Sequence, residues 1–595
     1  MEKKEPVRKY ADRKIVSRLF ALTKPYRKIL WLASILSVVL APLAIIRPWL
    51  VQLTVDDYII VPNPQGLLMM IALLSAILIL EGVLTYIFTY STGWLGQSIV
   101  RDLRVNVFRH INSLRLTYFD RTPIGTSTTR TINDIETINS VFSEGVITII
   151  ADILTLLFVL AIMLLTSWKL TLICLTTLPL LLWASYWFKE SVKKAYETVR
   201  SQVSKMNAFL QERITGMRIV QVFNAEEQEW EKFEQINKTY TKANIQSIFY
   251  YAVFFPVVEI LSAASLGLMV WYGARSVIGG ELTIGVLVAF PLYLGMLFRP
   301  VRMLADKFNS LQMGMVAANR VFEILDNRKH IPNSGQHQAE RLKGEIRFEQ
   351  VFFSYEQDKS ESEVENWILK GVDFQLDAGK TMAIVGSTGA GKTTIINIIN
   401  RFYEIHKGHI YIDGVEIRDY ELSSLRKRIA IVLQDVFLFS GTVLENITLK
   451  DERISRETVI DSAKMIGAHE FIERLPGGYD YQVMERGATL SMGQRQLISF
   501  VRALVFNPDV LILDEATSAI DPETEGIIQH AIEKLIEKRS SIIIAHRLST
   551  IQHADVILVM DKGKVVESGN HSELMQKENG HYRELVETAY AMDND

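Results

Sequence analysis

Gly386-Ser-Thr-Gly-Ala-Gly-Lys392-Thr393 fits the phosphate-binding pattern G-x-x-x-x-G-K-[ST] and determines how we interpret the second half of the chain. The apolar run 382–385 leads into it and the helix-like stretch 394–400 follows, so strand, glycine loop and helix come in the required order. Glycines let backbone N–H groups converge on phosphate oxygens, and the new helix turns its positive end to the same anion. The pattern therefore predicts a nucleotide site in which Lys392 meets the β- and γ-phosphates and the Thr393 hydroxyl reaches Mg²⁺. The residues expected to bind the nucleotide here are Gly386, Ser387, Thr388, Gly389, Ala390, Gly391, Lys392, Thr393 and Thr394.

A second apolar run, Val510-Leu-Ile-Leu, ends in two acids, Asp514 and Glu515. Such a run is typical of a central strand in a parallel sheet, and its carboxyl end lies where ligands bind in open α/β sheets. There, Asp514 is placed to hold Mg²⁺, and Glu515 to orient or deprotonate a water that attacks the γ-phosphate. Taken alone, two acids after a strand are as typical of a turn or a helix cap.

Between these two motifs, Leu490-Ser-Met-Gly-Gln494 and the helix-like stretch after it resemble the signature of ATP-binding cassette (ABC) proteins. In such cassettes the signature completes the nucleotide site of a facing cassette, which implies that role for Ser491, Gly493 and Gln494. The segment 518–521 resembles the loop that crosses to the partner cassette, and 485–487 resembles a segment that touches membrane-domain loops in exporters.

The resemblance also implies roles for single residues outside these motifs. Tyr355 matches the aromatic residue that stacks on adenine, Gln434 the glutamine that reaches Mg²⁺ and the attacking water, and His546 the histidine that contacts the γ-phosphate. The catalytic set implied is Glu515, His546, Gln434 and Lys392. The magnesium set is Thr393, Gln434 and Asp514.

The first half of the chain is strongly apolar, and 49% of all 595 residues are hydrophobic. Six runs are each near the roughly 20 residues that a helix needs to cross hydrocarbon. They are 29–54, 67–93, 144–166, 170–188, 248–273 and 283–304. Three acids fall inside them, Glu81, Asp152 and Glu259. We expect these acids to face the bundle interior, because an ionised carboxylate is costly in hydrocarbon.

The distribution of Lys and Arg predicts the topology. Residues 1–28 and the connections 95–143 and 189–247 are basic, whereas the segment 55–66 contains no Lys or Arg. By the positive-inside rule, both termini, the long loops and the cassette lie in the cytoplasm, as expected for a multi-pass protein of the bacterial cytoplasmic (inner) membrane. The net charge of −3 gives no reason to invoke nucleic acid.

The organisation expected is a transmembrane domain over 1–328, a linker over 329–343 and an ATP-binding cassette over 344–595. The long cytoplasmic loops suggest helices that continue beyond the bilayer, broken near 117–125 and 220–226. Both breaks resemble the coupling helices of six-helix exporters, although a solvated helical turn also fits the first.

The whole chain resembles the half-size bacterial exporters of multidrug and lipid type. This implies an α-helical membrane domain of six transmembrane helices fused to an α/β P-loop nucleotide-binding domain. The implied activity is ATP- and Mg²⁺-dependent export of lipophilic small molecules by alternating access, in contact with membrane lipids. A lipid flippase or a peptide exporter of the same fold is the alternative. The six spans argue against a soluble or DNA-repair ATPase, the fusion argues against an importer, and a gated channel remains a further alternative.

The signature departs from the family pattern at Met492, where a glycine is usual. A methionine at that point is expected to crowd the partner's γ-phosphate, whereas Glu515 keeps this chain's own catalytic centre complete. A heterodimer with a second ABC half-transporter resolves the mismatch and is the favoured expectation. In the alternative, Met492 points away and a homodimer works.

Overall fold

The computed structural model describes residues 13–357, 364–514, 522–544 and 551–593. Its internal packing separates the chain into two units. The first unit contains residues 1–112 and 124–327, and the second contains residues 113–123 and 328–595. A short piece of the first half of the sequence therefore belongs, by its contacts, with the second half.

Long helices build the first unit. In chain order, the helices up to residue 325 are α1 (Arg13–Leu22), α2 (Arg27–Leu53), α3 (Pro64–Asn112), α4 (Leu116–Arg121), α5 (Ile124–Thr129), α6 (Ile135–Ser140), α7 (Val146–Thr166), α8 (Trp168–Leu175), α9 (Leu178–Thr215), α10 (Met217–Val222), α11 (Glu226–Ile278) and α12 (Ile284–Leu325). Of these, α4 lies in the second unit. A 3₁₀ turn, Lys24–Tyr26, precedes α2, and π-helical turns follow or separate other helices at Thr54–Ile59, Arg130–Asp134 and Val141–Gly145.

The apolar runs of the sequence form helices that are long enough to cross a membrane. Within the described residues, the stretches with sufficient length and apolar character are Lys24–Ile59, Pro64–Asn112, Ile124–Thr166, Trp168–Thr215 and Glu226–Ile278. A shorter apolar stretch, Ile284–Arg299, begins α12 and corresponds to the sixth predicted span. The 49 residues of α3 rise over about 74 Å, more than twice the roughly 30 Å of the hydrocarbon core. The prediction of a helical membrane domain is confirmed, and its helices continue well beyond the length of a bilayer crossing.

Small residues allow these helices to pack closely. A Cβ atom added to Gly314 of α12 would lie 2.1 Å from a methyl carbon of Val141, and one added to Gly96 of α3 would lie 2.1 Å from the amide oxygen of Asn139. At Gly314 the close group is a branched side chain, so the position favours glycine, whereas at Gly96 the end of the Asn139 side chain would have to move to admit a larger residue. The buried apolar residues around these contacts form one core, and a second core gathers residues of α7–α9, α11 and α12.

Acids within the apolar spans lie close to basic side chains. Asp152 of α7 forms an ion pair with Lys307 of α12, and both side chains are mostly buried. Glu81 of α3 lies 4.0 Å from Arg47 of α2. Glu259 of α11 is exposed in the single chain. The ion pair lowers the free-energy cost of placing the Asp152 carboxylate in an apolar span. This cost is the reason why Asp152 is expected to face other helices.

The second unit is built around two larger sheets. Its strands are β1 (Ile346–Phe353), β2 (Leu369–Leu376), β3 (Thr381–Gly386), β4 (Lys407–Ile412), β5 (Val415–Glu416), β6 (Ile429–Val432), β7 (Gly441–Thr442), β8 (Gln482–Val483), β9 (Val510–Asp514), β10 (Ser540–Ile544), β11 (Val556–Asp561) and β12 (Lys564–Gly569). The six-stranded sheet has the order β12-β11-β3-β10-β9-β6, and a four-stranded sheet has the order β2-β1-β4-β5. Strands β7 and β8 form a small pair.

Helices cover the sheets of this unit. They are α13 (Lys392–Ile399), α14 (Leu422–Arg428), α15 (Val443–Thr448), α16 (Arg456–Met465), α17 (His469–Arg474), α18 (Met492–Val505), α19 (Pro522–Ile536), α20 (His571–Met575) and α21 (His581–Asp593). In the six-stranded sheet, β3 is parallel to β10 and β11, and β9 is parallel to β6 and β10. The strands β9 and β10 are buried throughout, as expected for a parallel sheet covered on both faces. The carboxyl ends of β3, β6, β9 and β10 therefore meet at one edge of the sheet.

Candidate nucleotide-binding site

The predicted phosphate loop leaves the carboxyl end of β3 and enters α13. Its glycines have backbone conformations that favour glycine, with φ of 83° at Gly389 and 103° at Gly391. At Gly386, with φ of 148°, an added Cβ would lie 2.1 Å from the backbone oxygen of Met560 on β11. Gly386 is thus needed for close packing of β3 on β11, and the later glycines shape the loop.

Lys392 begins α13 and is 8% exposed. Its ammonium donates hydrogen bonds to the loop carbonyls of Gly386 and Ser387, at 2.7 and 3.0 Å. Burial lowers the pKa of Lys392 from its ordinary value, and the nearby charge of Asp514 opposes that shift. A buried cation beside a glycine loop is well suited to a phosphate, because a charge-assisted hydrogen bond is stronger than one to a neutral carbonyl. The loop therefore fits the triphosphate of a nucleotide.

Oxygen ligands for a cation stand at the same edge of the sheet. Asp514 is the last residue of β9 and is 8% exposed. Gln434 follows the end of β6 by two residues, and Thr393 is exposed in the first turn of α13. Carboxylate, amide and hydroxyl oxygens are the ligand types that Mg²⁺ uses. Placement at the ends of neighbouring elements thus fits a magnesium site.

Several predicted site residues lie outside the described residues. They are Glu515, His546 and the segment 518–521. The strands that lead to the first two are described, and Ile544, the last residue of β10, pairs in register with Asp514 of β9. The roles of Glu515 and His546 stay predictions.

Tyr355 follows β1 and is 37% exposed. Its hydroxyl shares a hydrogen bond with the hydroxyl of Thr394 at 3.2 Å and accepts one from the amide of Asn397 at 3.4 Å, so the ring is tied to α13. The edge of the ring also meets Tyr403, with centroids 5.1 Å apart and planes at 89°. This arrangement places an aromatic surface next to the phosphate-loop helix, where a base joined to the phosphates would lie.

Tyr403 and its partner Asp120 were not predicted from the sequence as site residues. The hydroxyl of Tyr403 donates to the carboxylate of Asp120 in α4 at 2.7 Å. Burial and this hydrogen bond raise the pKa of the Tyr403 phenol, so it remains a neutral donor at physiological pH. Because Asp120 and Tyr403 are 283 residues apart, no local pattern could have paired them.

Ser491 is the N-cap of α18, and it forms a capping box with Gln494. The Ser491 hydroxyl accepts from the backbone N–H of Gln494 at 3.2 Å, and the Gln494 side chain accepts from the backbone N–H of Ser491 at 3.0 Å. Two signature residues therefore have a structural role in starting the helix. Ser491 is exposed and Gly493 is buried, so the positive end of α18 faces outward at the serine.

Met492 is half-buried and lines a cavity of about 140 Å³. The other residues around the cavity are Gln434, Asp435, Val436, Arg486, Arg495 and Gln496. Arg495 donates to the carbonyl of Leu490 at 3.0 Å and ties the start of α18 to the preceding turn. Met492 thus contributes to the lining of a cavity within its own cassette.

Comparison with known proteins gives the class of this fold. Residues 30–301 match the family model of the ABC transporter transmembrane region, and residues 369–518 match a second family model described as ABC transporter. A bacterial Atm1-family ABC exporter solved with ATP bound superposes with a TM-score of 0.75 at 29% identity, over 95% of this chain and 98% of that chain.

Relatives in sequence cover nearly the full length. An uncharacterized ABC transporter ATP-binding protein of Bacillus subtilis (strain 168) is 40% identical over 579 residues, 96% of this chain and 94% of the relative. Another Bacillus subtilis protein, named "Putative multidrug export ATP-binding/permease protein", is 36% identical over 95% of this chain and 97% of its own. An ATP-dependent lipid A-core flippase of Desulfotalea psychrophila (strain LSv54) is 35% identical over 96% of this chain and 99% of its own.

The fold and these comparisons define a multi-pass membrane protein with a fused ATP-binding cassette. The chain belongs to the ABC transporter family, as a half-size exporter that couples ATP hydrolysis to transport. The resemblance drawn from the motifs is thereby confirmed at the level of family, fold and ATP-driven transport.

Proposed function

We propose that this chain is one half of a dimeric exporter that moves lipophilic compounds outward across the bacterial cytoplasmic membrane. The main observation behind this proposal is the fusion of membrane-crossing helices to an ATP-binding cassette in one chain. Relatives named for multidrug export and for lipid A-core flipping cover almost all of it. In this proposal the membrane domain is 1–328, the linker 329–343 and the cassette 344–595, with both termini and the cassette in the cytoplasm.

The nucleotide site divides its work among the residues at the edge of the six-stranded sheet. Lys392 binds the β- and γ-phosphates, and the loop residues 386–394 hold them with backbone N–H groups. Asp514, Thr393 and Gln434 hold Mg²⁺, which when bound offsets phosphate charge. Tyr355 stacks on adenine. Glu515 orients or deprotonates the attacking water, and His546 contacts the γ-phosphate, so hydrolysis depends mainly on positioning and electrostatics.

Two short helices link this chemistry to the membrane helices. The first, α4, contacts both the linker and the cassette. The backbone N–H of Arg115, just before α4, donates to the carbonyl of Lys329 at 3.0 Å, and the hydroxyl of Tyr403 in the cassette donates to Asp120 at 2.7 Å. The second, α10, carries apolar side chains that are largely exposed in the single chain, with Ile219 at 61% and Val222 at 70%. We assign α10 to a contact with a cassette, as expected for a coupling helix.

The partner of this chain is proposed to be a second ABC half-transporter that contacts the exposed end of α18. This chain has Met492 where the signature usually has a glycine. In a heterodimer, the partner supplies an intact signature to the complete catalytic centre of this chain. A homodimer is the second candidate, favoured by the position of Met492 at a cavity in its own cassette. Cooperative ATPase activity and transport by the purified single chain would exclude the heterodimer. Recovery of activity only with a co-expressed half-transporter would exclude the homodimer.

ATP-dependent uptake of a lipophilic dye into inside-out vesicles tests export. Wild-type vesicles are expected to accumulate the dye with ATP and Mg²⁺, and vesicles with Glu515→Gln are expected to bind ATP without uptake. A lipid flippase instead moves a fluorescent phospholipid between leaflets in the same vesicles and leaves the dye outside. If neither the dye nor the phospholipid moves while ATP is hydrolysed, the proposed substrate class is wrong.

A further inference from the structure

Two tyrosines connect the proposed adenine site to the first short cytoplasmic helix. The side chains form a continuous series in the second unit: Thr394 on the phosphate-loop helix, then Tyr355, Tyr403 and Asp120. Each step is a hydrogen bond or an aromatic edge contact, with separations of 3.2, 5.1 and 2.7 Å. The series begins where a nucleotide binds and ends in α4, which the chain joins directly to α3 and α5.

Tyr403 is the central member of this series and is held on several sides. It is 6% exposed, and its ring meets Phe353 at 6.0 Å as well as Tyr355. Its hydroxyl points to Asp120, which lies at the exposed surface of α4. A buried ring whose polar end holds a carboxylate is fixed in one orientation, so a displacement of Tyr355 is passed to Asp120 rather than absorbed.

The same helix also holds Tyr355 directly. The guanidinium of Arg121 donates to the backbone carbonyl of Tyr355 at 3.3 Å. Neighbouring residues of α4 therefore contact both tyrosines, one through a side chain and the other through the main chain. The aromatic pair therefore holds α4 in position through two contacts. These act in addition to the backbone hydrogen bond from Arg115 to Lys329.

We propose that Tyr403 and Asp120 are positioning residues that report adenine binding at Tyr355 to α4 of the same chain. A base stacked on Tyr355 restricts that ring, the Tyr403 ring follows its edge, and the hydrogen bond to Asp120 holds α4 in one position. The inference rests on the proposed nucleotide site. It adds a route by which the bound base affects α4, separate from the contacts of the triphosphate.

Hydrogen exchange of the full-length transporter in detergent tests this route, with the peptide covering 113–123 as the readout. Mg-ATP is expected to slow exchange of this peptide by roughly tenfold in the wild type, because a base on Tyr355 strengthens the existing hydrogen bond between Tyr403 and Asp120. Inorganic triphosphate with Mg²⁺, which lacks the base, is expected to leave the peptide unchanged. Tyr403→Phe and Asp120→Ala are expected to remove the ATP effect while ATP affinity stays within about twofold.

Matched variants separate this role from simple loss of stability. Tyr420 lies in the same core cluster as Tyr403 and is 1% exposed, and its hydroxyl donates to the carbonyl of Ile412 at 3.0 Å. Tyr420→Phe is therefore expected to keep the full ATP effect. Asp120→Asn retains an oxygen that accepts the phenol and is expected to restore most of what Asp120→Ala loses. A structural role alone would raise exchange equally with and without ATP.

The proposal is overturned if Tyr403→Phe or Asp120→Ala shows the wild-type ATP effect, if triphosphate alone protects the peptide, or if Tyr420→Phe loses the effect as well. It is also overturned if ATP leaves the wild-type peptide unprotected. The readout needs no transported compound. Dye uptake measured on the same preparations therefore reports separately on export, and a failure of uptake with intact ATP protection refutes the export proposal alone.

Discussion

Replacement of Gly285 by alanine is expected to disturb the contact between the end of α2 and the start of α12. Asp56, in the π-helical turn after α2, accepts a hydrogen bond from the backbone N–H of Gly285 at 2.7 Å and one from the hydroxyl of Thr283 at 2.6 Å. A Cβ atom on Gly285 would lie 2.3 Å from the backbone oxygen of Gln52 and 2.5 Å from the Asp56 carboxylate. The oxygen of Gln52 is a backbone atom and cannot move alone, and the Asp56 carboxylate is held by its hydrogen bonds to Thr283 and Gly285, so the helices must shift.

The expected change in the free energy of unfolding has three contributions. Overpacking typically costs about 1–3 kcal/mol, and weakening a hydrogen bond to a charged group costs about 1.5–3 kcal/mol. Removing a helical glycine returns about 0.5–1 kcal/mol. The net loss of unfolding free energy for Gly285→Ala is therefore roughly 2–5 kcal/mol.

Gly295 provides a matched control in the same helix. A Cβ atom added there has no other atom within 4 Å among the described residues. Gly295→Ala is expected to raise stability by about 0.5–1 kcal/mol, because alanine is the better helix former.

Thermal unfolding of the detergent-purified transporter measures both variants. A fall in the midpoint of roughly 4–10 °C is expected for Gly285→Ala, and no fall for Gly295→Ala. The nucleotide affinity of Gly285→Ala is expected to match that of the wild type, since Gly285 belongs to the first unit and the loop to the second. A wild-type midpoint for Gly285→Ala, or an equal fall for both glycines, would refute the packing argument.

Further predictions concern the nucleotide site and the membrane ion pair. Lys392→Ala is expected to weaken ATP binding by roughly 10- to 100-fold, the factor for a lost charged hydrogen bond, in a titration with a fluorescent ATP analogue. Lys380→Ala, which breaks a surface ion pair with Asp555 at 2.7 Å, is expected to leave the affinity for ATP unchanged. Glu515→Gln is expected to retain ATP affinity and to reduce hydrolysis strongly, measured as phosphate release, and wild-type turnover would remove Glu515 from its role. Chelation of divalent ions by EDTA is expected to stop phosphate release, and activity that persists would contradict the magnesium site. Asp152→Ala leaves the mostly buried Lys307 without its ion-pair partner and is expected to lower the unfolding midpoint, while the double variant with Lys307→Ala recovers part of the loss; no loss in the single variant would contradict the pairing.

Local patterns in the sequence were sufficient for the glycine loop and for the membrane spans. The loop depends on backbone freedom at neighbouring positions, and the observed φ of 83° at Gly389 and 103° at Gly391 are conformations that the residue type alone makes accessible. The spans depend on apolar length, which composition fixes directly. Ser491 and Gln494 also carried a local signal, because serine and glutamine three residues apart form the capping box seen at the start of α18.

Contacts between distant parts of the chain could not be predicted in this way. Asp152 and Lys307 are separated by 155 residues, and Asp120 and Tyr403 by 283. Each pair depends on how whole helices and sheets pack. In the sequence alone, each partner looks like an ordinary acid, lysine or core tyrosine. The assignment of α4 to the second unit is of the same kind, since it rests on contacts to residues after 328.

Met492 shows why residue size alone does not decide the partner of this chain. A methionine in place of glycine crowds a facing nucleotide only if its side chain extends outward from the start of α18. Here Met492 is half-buried and lines a cavity together with Gln434 and Arg486 of its own cassette, while the capping serine, Ser491, remains exposed. The positive end of α18 is then still presented outward, as a signature helix requires. The exposed helix end makes the homodimer physically admissible, and the heterodimer must be supported by the activity of a pair of chains rather than by the volume of one side chain.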